Sequence, residues 1–301
     1  MPHRKNIIDI DTLRLTTIDK ILVRAVYYQN YKHSKALKHK VIGNLFFEPS
    51  TRTHCSFQSA IKRCGGSYID LEIQNSSIKK GESFEDTIKT MEQYCDALVI
   101  RHPEKGSVKK CAAMTSIPVI NAGDGSREHP TQALLDLFTI RQYHILMEPI
   151  NIAFCGDLKN SRACHSLIKL LDKLYTQITF YLISDDALRL DPDVIQSLNN
   201  VCISGSDISS IITKIDVLYM TRLQKERMVN PEMVQNTIIT NELLETAKQN
   251  MILMHPLPRN EELPVECDAN PRSKYFEQIK NGVFVRMAIL DYCFHGIKST
   301  F

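Results

Sequence analysis

The stretch Val41-Ile42-Gly43-Asn44-Leu45-Phe46-Phe47-Glu48-Pro49-Ser50-Thr51-Arg52-Thr53-His54 decides how the chain is read. An apolar, β-prone run meets a sharp turn at Pro49. A helical pattern follows, with Phe57, Ala60, Ile61 and Cys64 at i, i+3, i+4 and i+7 and Gly65-Gly66 to stop it. Strand, turn and helix in that order open an α/β fold. The hydroxyls of Ser50, Thr51 and Thr53 and the guanidinium of Arg52 stand where a helix presents its unpaired N–H groups, a combination suited to phosphate. The turn lacks the G-x-x-x-x-G-K-[ST] pattern of a nucleotide P-loop, so a small phosphorylated molecule is the expected client. The plain alternative is an ordinary helix start with Ser50 as N-cap.

Working outward, strands and helices alternate. Apolar runs recur at Tyr68–Ile73, Ala97–Ile100 and Pro118–Asn121, then at Ile150–Cys155, Ile178–Ile183, Val217–Met220 and Met251–Met254, with a shorter run at Val201–Ile203. Helical spacing links Phe84, Ile88, Met91 and Cys95 and covers Thr131–Tyr143, Ala163–Leu174, Pro192–Leu198 and Glu242–Gln249. Asp191 suits the N-cap and Pro192 the first position of one of these helices. Short, nearly continuous apolar strands joined by helices predict two α/β domains, each a mainly parallel sheet flanked by helices. The expected boundary follows the bridging helix Thr131–Tyr143, giving domains of 1–145 and 146–282. A ligand site in the crevice between the domains is expected.

The chain has 301 residues, 43% hydrophobic and 24% charged, with a net charge of +3. These values suit a globular protein and give no case for nucleic acid, since basic residues cluster only in pairs such as Lys79-Lys80 and Lys109-Lys110. No run approaches the ~18–20 apolar residues of a membrane helix. The start, MPHRKNIIDIDTL, has no long apolar core and no small-residue cleavage site, so neither signal peptide nor membrane is expected and the cytoplasm is the expected compartment. The nine cysteines are odd in number and form no C-x-x-C, which reads as buried thiols in a reducing compartment, with no metal and no cofactor expected.

Parallel sheets bind ligands beyond the carboxyl ends of their strands, so the polar residues just after each run are the candidates. Arg101-His102-Pro103 offers a cation. His129 and Gln132, three apart, share a face near a helix start, where the helix's positive end favours a neutral imidazole. Gly156-Asp157-Leu158-Lys159-Asn160-Ser161-Arg162 carries one glycine where a dinucleotide fingerprint needs three, which excludes a dehydrogenase. Arg222 and Gln224 alternate and so point the same way in an extended segment. In His255-Pro256-Leu257-Pro258-Arg259 two prolines stiffen the turn and leave the carbonyls of Leu257 and Pro258 to accept hydrogen bonds. Gln74–Glu82 is a polar loop whose lysines can bring charge over an anion.

Together, Phe46–Thr53, Lys79-Lys80-Gly81-Glu82, Arg101-His102-Pro103, Asn121–Gly125, His129-Pro130-Thr131-Gln132, Gly156-Asp157-Leu158-Lys159, Tyr219–Arg222 with Gln224, and His255–Arg259 resemble the aspartate carbamoyltransferase catalytic chains, within the aspartate/ornithine carbamoyltransferase superfamily, over essentially the whole length. The resemblance implies attack of the L-aspartate amino group on carbamoyl phosphate, giving N-carbamoyl-L-aspartate and phosphate in pyrimidine biosynthesis. It implies that Ser50, Thr51, Arg52 and Thr53 bind phosphate and that Thr53, Arg101 and His129 bind the carbonyl oxygen. Gln132, with the carbonyls of Leu257 and Pro258, would hold the carbamoyl amide, and Arg162, Arg222 and Gln224 would bind aspartate. Lys80, with Ser76 or Ser77, would reach a neighbouring subunit's site in a homotrimer. A regulatory chain or dihydroorotase is a possible further partner, and a C-terminal helix of about 283–301 would pack back on the first domain. The rivals are an ornithine carbamoyltransferase, which typically has cysteine where this chain has Pro256, and a non-catalytic carrier of carbamoyl phosphate.

Overall fold

The computed structural model describes residues 5–71, 77–225, 228, 232, 234 and 236–296. The far end of the Tyr68–Ile73 run, Ser76, Glu226 and Arg227 lie outside them. The chain forms two compact units. One runs up to Phe138 and takes in the chain again from Lys280; the other is Thr139–Ile279.

In the first unit the elements are α1 (Leu15–Tyr31), β1 (Val41–Phe46), α2 (Thr51–Arg63), β2 (Ser67–Asp70), α3 (Phe84–Tyr94), β3 (Ala97–His102), α4 (Ser107–Met114) and β4 (Val119–Asp124), followed by the start of α5 (Pro130–Tyr143). The strands form one parallel sheet in the order β2-β1-β3-β4. Leu45, Ile88, Met91, Leu98, Ile100, Val108 and Val119 build a core between this sheet, α3 and α4. The edge strand β2 alternates exposed and half-buried residues, whereas β4 is buried throughout. α2 ends as its glycines require: Gly65 takes φ 76° and Gly66 N–H donates to the Ile61 carbonyl at 3.0 Å.

The second unit holds β5 (Ile150–Gly156), α6 (Arg162–Leu174), β6 (Ile178–Ile183), α7 (Pro192–Gln196), β7 (Val201–Gly205), β8 (Val217–Thr221), α8 (Asn241–Glu245), β9 (Ile252–Met254) and the start of α9 (Tyr275–His295). Its sheet is also parallel, in the order β7-β6-β5-β8-β9. Leu218, Met220, Leu253, Ile215, Ile239 and Leu244 fill one face. On the sheet, Phe154 is fully buried between the rings of Phe180 and Tyr219, at 6.0 and 5.5 Å.

In both sheets the chain winds outward from its first strand in two directions. The reversals lie between β1 and β3 and between β5 and β8, where loops diverge and leave room for a ligand.

Several elements differ from the sequence reading. α1 and α4 are additional helices. α8 stops at Glu245, short of the expected Gln249. α9 begins at Tyr275, eight residues ahead of the expected helix of about 283–301, and runs straight through Gly282; residues 297–301 lie outside the described ones. Gly282 is a packing residue: a Cβ there would lie 2.7 Å from Nη1 of Arg286. β3 extends to His102, so Arg101 is a strand residue and not the first residue of a loop.

Truncating Phe154 to alanine should destabilise the second unit by about 3–5 kcal/mol, the usual loss for a buried aromatic. Urea unfolding followed by far-UV circular dichroism checks this, with the exposed Phe276→Ala (55% exposed) as the near-neutral control.

Candidate active site

The first unit carries the cradle. Ser50 is the N-cap of α2, with extended backbone at φ −162° and ψ 93°, and its carbonyl accepts from His54 N–H at 3.2 Å. Its hydroxyl makes no capping bond. By contrast the hydroxyls of Ser83, Ser161 and Thr240 and the Asp191 carboxylate each accept from the first turn of their helices. The N-cap reading of Ser50 therefore holds for the backbone but not for the side chain. Thr51 is exposed, Arg52 half-buried and Thr53 buried, all on the same first turn. The uncapped turn combines N–H donors, hydroxyls and a cation at the positive end of the helix, and so can hold a dianion.

Arg101 is brought beside the end of β1 by the sheet register, which pairs it with Phe46. Its Nη2 meets Glu48 Oε1 at 2.8 Å and its Nη1 donates to the Ala122 carbonyl at 3.4 Å. Glu48 thus orients the guanidinium from within the opening motif, a role that sequence alone did not assign. His129 is buried directly before α5, and its carbonyl accepts from the N–H groups of Gln132 and Ala133. Thr131 Oγ1 lies 3.5 Å from its Nδ1. Gln132, 9% exposed, donates through Nε2 to Asp136 Oδ1 at 2.9 Å. Lys80 closes the 3-10 turn Ser77–Lys80 and is exposed. Its ammonium makes no ion pair among the described residues.

In the second unit the reversal between β5 and β8 organises the candidates. Gly156 pairs with Thr221 and takes φ 112°. A Cβ at Gly156 would lie 2.1 Å from the Thr221 carbonyl oxygen, so only glycine lets these strand ends meet. The single glycine that was too few for a dinucleotide motif serves strand contact instead. The buried Asp157 carboxylate then accepts from Asn160 N–H at 3.0 Å, from Asn160 Nδ2 at 3.1 Å, and from Gln224 N–H at 3.2 Å. One carboxylate so joins the loop after β5 to the loop after β8. Arg162 opens α6 and is buried. Ser161 caps that helix and accepts from Thr221 Oγ1 at 3.3 Å. Arg222 is half-buried and donates through Nη1 to the Leu223 carbonyl at 3.0 Å.

The turn after β9 is held from inside. Leu257 sits at φ 52° before a cis Leu257–Pro258 bond. A left-handed leucine is held against a cost of about 1–2 kcal/mol. Its N–H donates to His255 Nδ1 at 2.8 Å, so that nitrogen carries no proton and the other, Nε2, donates to Glu262 at 3.1 Å. Both side chains are 1% exposed. Burial would raise the Glu262 carboxyl, but the bonds from His255 and from Asn260 N–H outweigh it and hold the group below its ordinary value. Arg259 donates through Nη2 to Asp268 Oδ2 at 2.8 Å and through Nη1 to Tyr275 Oη at 3.1 Å.

Among the described residues no group of three or more histidine, cysteine or acidic side chains is arranged to hold a metal, and no helix is long and apolar enough to cross a membrane. All nine cysteines are free: Cys55 is exposed, Cys202 half-buried and the others buried. Burial pushes the Cys64, Cys111, Cys155 and Cys293 thiols up to about 12, so these behave as apolar filling.

The Arg259 bonds hold the Asp268 carboxyl at about 2, down from 3.8. A depressed carboxyl stabilises the fold above its ordinary value and loses that contribution as pH falls through its folded value. Asp268→Asn should therefore lower the urea midpoint near neutral pH, and the gap from wild type should close as pH falls from about 4 towards 2. A gap independent of pH would reject the carboxylate as its source.

Comparison with known proteins matches the chain to two family models in series. A family model described as "Aspartate/ornithine carbamoyltransferase, carbamoyl-P binding domain" matches residues 5–142, and one described as "Aspartate/ornithine carbamoyltransferase, Asp/Orn binding domain" matches 148–293. The aspartate carbamoyltransferase catalytic subunit of Alkaliphilus oremlandii is 43% identical over 98% of this chain and 92% of its own length. That of Archaeoglobus fulgidus is 46% identical over 95% of this chain and 98% of its own. Among solved structures, aspartate transcarbamoylase from Trypanosoma cruzi in complex with carbamoyl phosphate and aspartate superposes with a TM-score of 0.90 at 37% identity, covering 95% of this chain and 96% of that one. With two family models in series and relatives this similar along its length, the chain belongs to the aspartate/ornithine carbamoyltransferase family.

Proposed function

We propose that this chain is an enzyme that transfers the carbamoyl group of carbamoyl phosphate to the α-amino group of L-aspartate, releasing phosphate and N-carbamoyl-L-aspartate for pyrimidine synthesis. The observation that carries this is the first turn of α2, where Ser50 occupies the N-cap yet leaves its hydroxyl out of the cap. Such a turn is ready for a phosphate. The relatives that cover nearly the whole chain bear the aspartate name, which favours aspartate over ornithine as acceptor.

In this reading residues 1–145, joined by the C-terminal part of α9, form the carbamoyl phosphate domain, and 146–282 the aspartate domain. Ser50, Thr51, Arg52 and Thr53 hold the phosphate. Attack on the carbonyl builds negative charge on its oxygen, and Thr53, Arg101 and His129 are the donors aimed at it. Gln132 Oε1 and the carbonyls of Leu257 and Pro258 accept from the carbamoyl N–H₂. Arg162 and Arg222 supply two cations for a dicarboxylate, a choice that would repel the ornithine ammonium, and Gln224 completes that subsite. The amine is its own nucleophile and phosphate its leaving group, so the chemistry rests on positioning and electrostatics.

A coupled assay with carbamoyl phosphate should show turnover with aspartate and none with ornithine. His129→Ala should lower kcat roughly 10²–10³-fold. Turnover with ornithine alone would overturn the reading, as would the absence of any product while a bisubstrate analogue still binds.

Lys80 is exposed and has no ion pair among the described residues, which supports a shared site in a homotrimer with ring-closing contacts between unlike surfaces; the cytoplasm is the compartment proposed for it. Lys80 then acts in the neighbouring subunit's site, accompanied by Ser76 or Ser77. Mixing inactive Lys80→Ala chains with inactive Arg52→Ala chains should restore activity, because some sites recover both residues. Mixtures no more active than either parent would reject the shared site.

A further inference from the structure

The turn after β9 is closed by a side-chain pair that the reaction scheme above does not use. His255 and Glu262 stand at its two ends, both buried, while residues 256–261 between them are half-buried or exposed. The pair meets across the base of the turn, with Nε2 of His255 at 3.1 Å from Oε1 of Glu262. The main chain is fixed at each end as well. His255 N–H donates to Oε1 of the buried Gln278 on α9 at 3.0 Å, and the Glu262 carbonyl accepts from Ile239 N–H at 2.9 Å.

The hydrogen bonds decide which atoms donate. A backbone N–H can only donate, and that of Leu257 lies 2.8 Å from Nδ1 of His255. Nδ1 therefore carries no proton, the ring is neutral, and its proton sits on Nε2. Glu262 Oε1 receives the bond from Nε2 and a second one from Asn260 N–H at 2.9 Å. That oxygen is thus an acceptor independently of the charge on the group. Only this tautomer of His255 satisfies both of its neighbours.

The consequence lies in what Pro256-Leu257-Pro258 can show a ligand. The two prolines have no N–H. The one backbone donor in the run, Leu257 N–H, is turned inward onto the imidazole. The backbone polar groups left over are carbonyls. Leu257 also sits at φ 52°, a conformation that a leucine keeps only when its neighbours hold it.

We propose that His255, oriented by Glu262, is a positioning residue that makes Pro256–Pro258 an acceptor-only face and so selects a ligand ending in N–H₂. Resting on the reading in which the Leu257 and Pro258 carbonyls accept from the carbamoyl amide, this assigns to a buried imidazole the preference for carbamoyl phosphate over acyl phosphates, which end in carbon. A face of acceptors rejects such an analogue because its carbonyls lose their donors on binding it.

Carbamoyl phosphate and acetyl phosphate share the phosphate and the carbonyl and differ in N–H₂ against methyl, so the ratio of their affinities isolates this face. Both are measured on the full-length protein by calorimetry, together with KM for carbamoyl phosphate at saturating aspartate. His255→Gln keeps a donor for Glu262 near the Nε2 position but loses the acceptor for Leu257 N–H. It should weaken carbamoyl phosphate about tenfold or more while acetyl phosphate stays within about twofold of wild type. His255→Asn sets an oxygen near the Nδ1 position and should recover most of the loss. A parallel fall for both ligands would show that the pair merely holds the fold and would overturn the proposal, as would equal losses in the Gln and Asn variants or an unchanged ratio. Should His255→Gln fail to fold, Glu262→Met, which frees the ring to change tautomer, should lower the same ratio. Wild-type protein that binds the two ligands equally would instead reject the assignment of these carbonyls to the N–H₂ group, on which the proposal stands.

Discussion

Every strand in both sheets runs parallel to its neighbours. A parallel ladder has one carboxyl edge, and every loop that leaves it begins there. This constraint turns a scattered sequence into a site. Residues far apart in the chain, such as Ser50 and Arg101 in one unit or Arg162 and Arg222 in the other, need no special device to reach the same sheet edge. The register does it, pairing Phe46 with Arg101 and Gly156 with Thr221. What remains for evolution to choose is the chemistry of a few loop positions.

Those positions were legible because they are local. Ser50–Thr53 follow their strand directly, and the polar residues after each apolar run could be picked by position alone. The additional helices α1 and α4 carry blurred signals in the sequence. α1 does bury Ile18, Ile21, Leu22, Ala25 and Tyr28 at helical spacing, but Val23 and Val26 on its other face are apolar, β-branched and exposed. α4 is a short Ser107–Met114 segment entered through a left-handed Gly106. α9 continues through Gly282, which in the sequence resembles a boundary and in the fold makes room for the Arg286 guanidinium.

The supporting residues were not legible at all. Glu48 for Arg101, Asp157 for Gln224, and Glu262 for His255 act through contacts whose partners are chosen by the tertiary fold. A motif records which atoms meet the ligand, and it is silent about which atoms hold those in place. The supporting groups are also the ones where burial raises the stakes. A buried carboxylate or imidazole without its partner costs far more than an exposed one.

The helix α2 shows what such a division of labour does to the energetics. Among the described helices, those entered at Ser83, Ser161, Asp191 and Thr240 have a side-chain cap, whereas α2, like α1 and α4, has none. A missing cap forgoes about 0.5–2 kcal/mol of helix stability. An anion on that turn supplies the missing acceptor, so the occupied protein is held together more firmly than the empty one, by an amount that grows with the logarithm of ligand concentration. The thermal endurance of the first unit is in this sense set partly by the metabolite pool around it and not by the polypeptide alone.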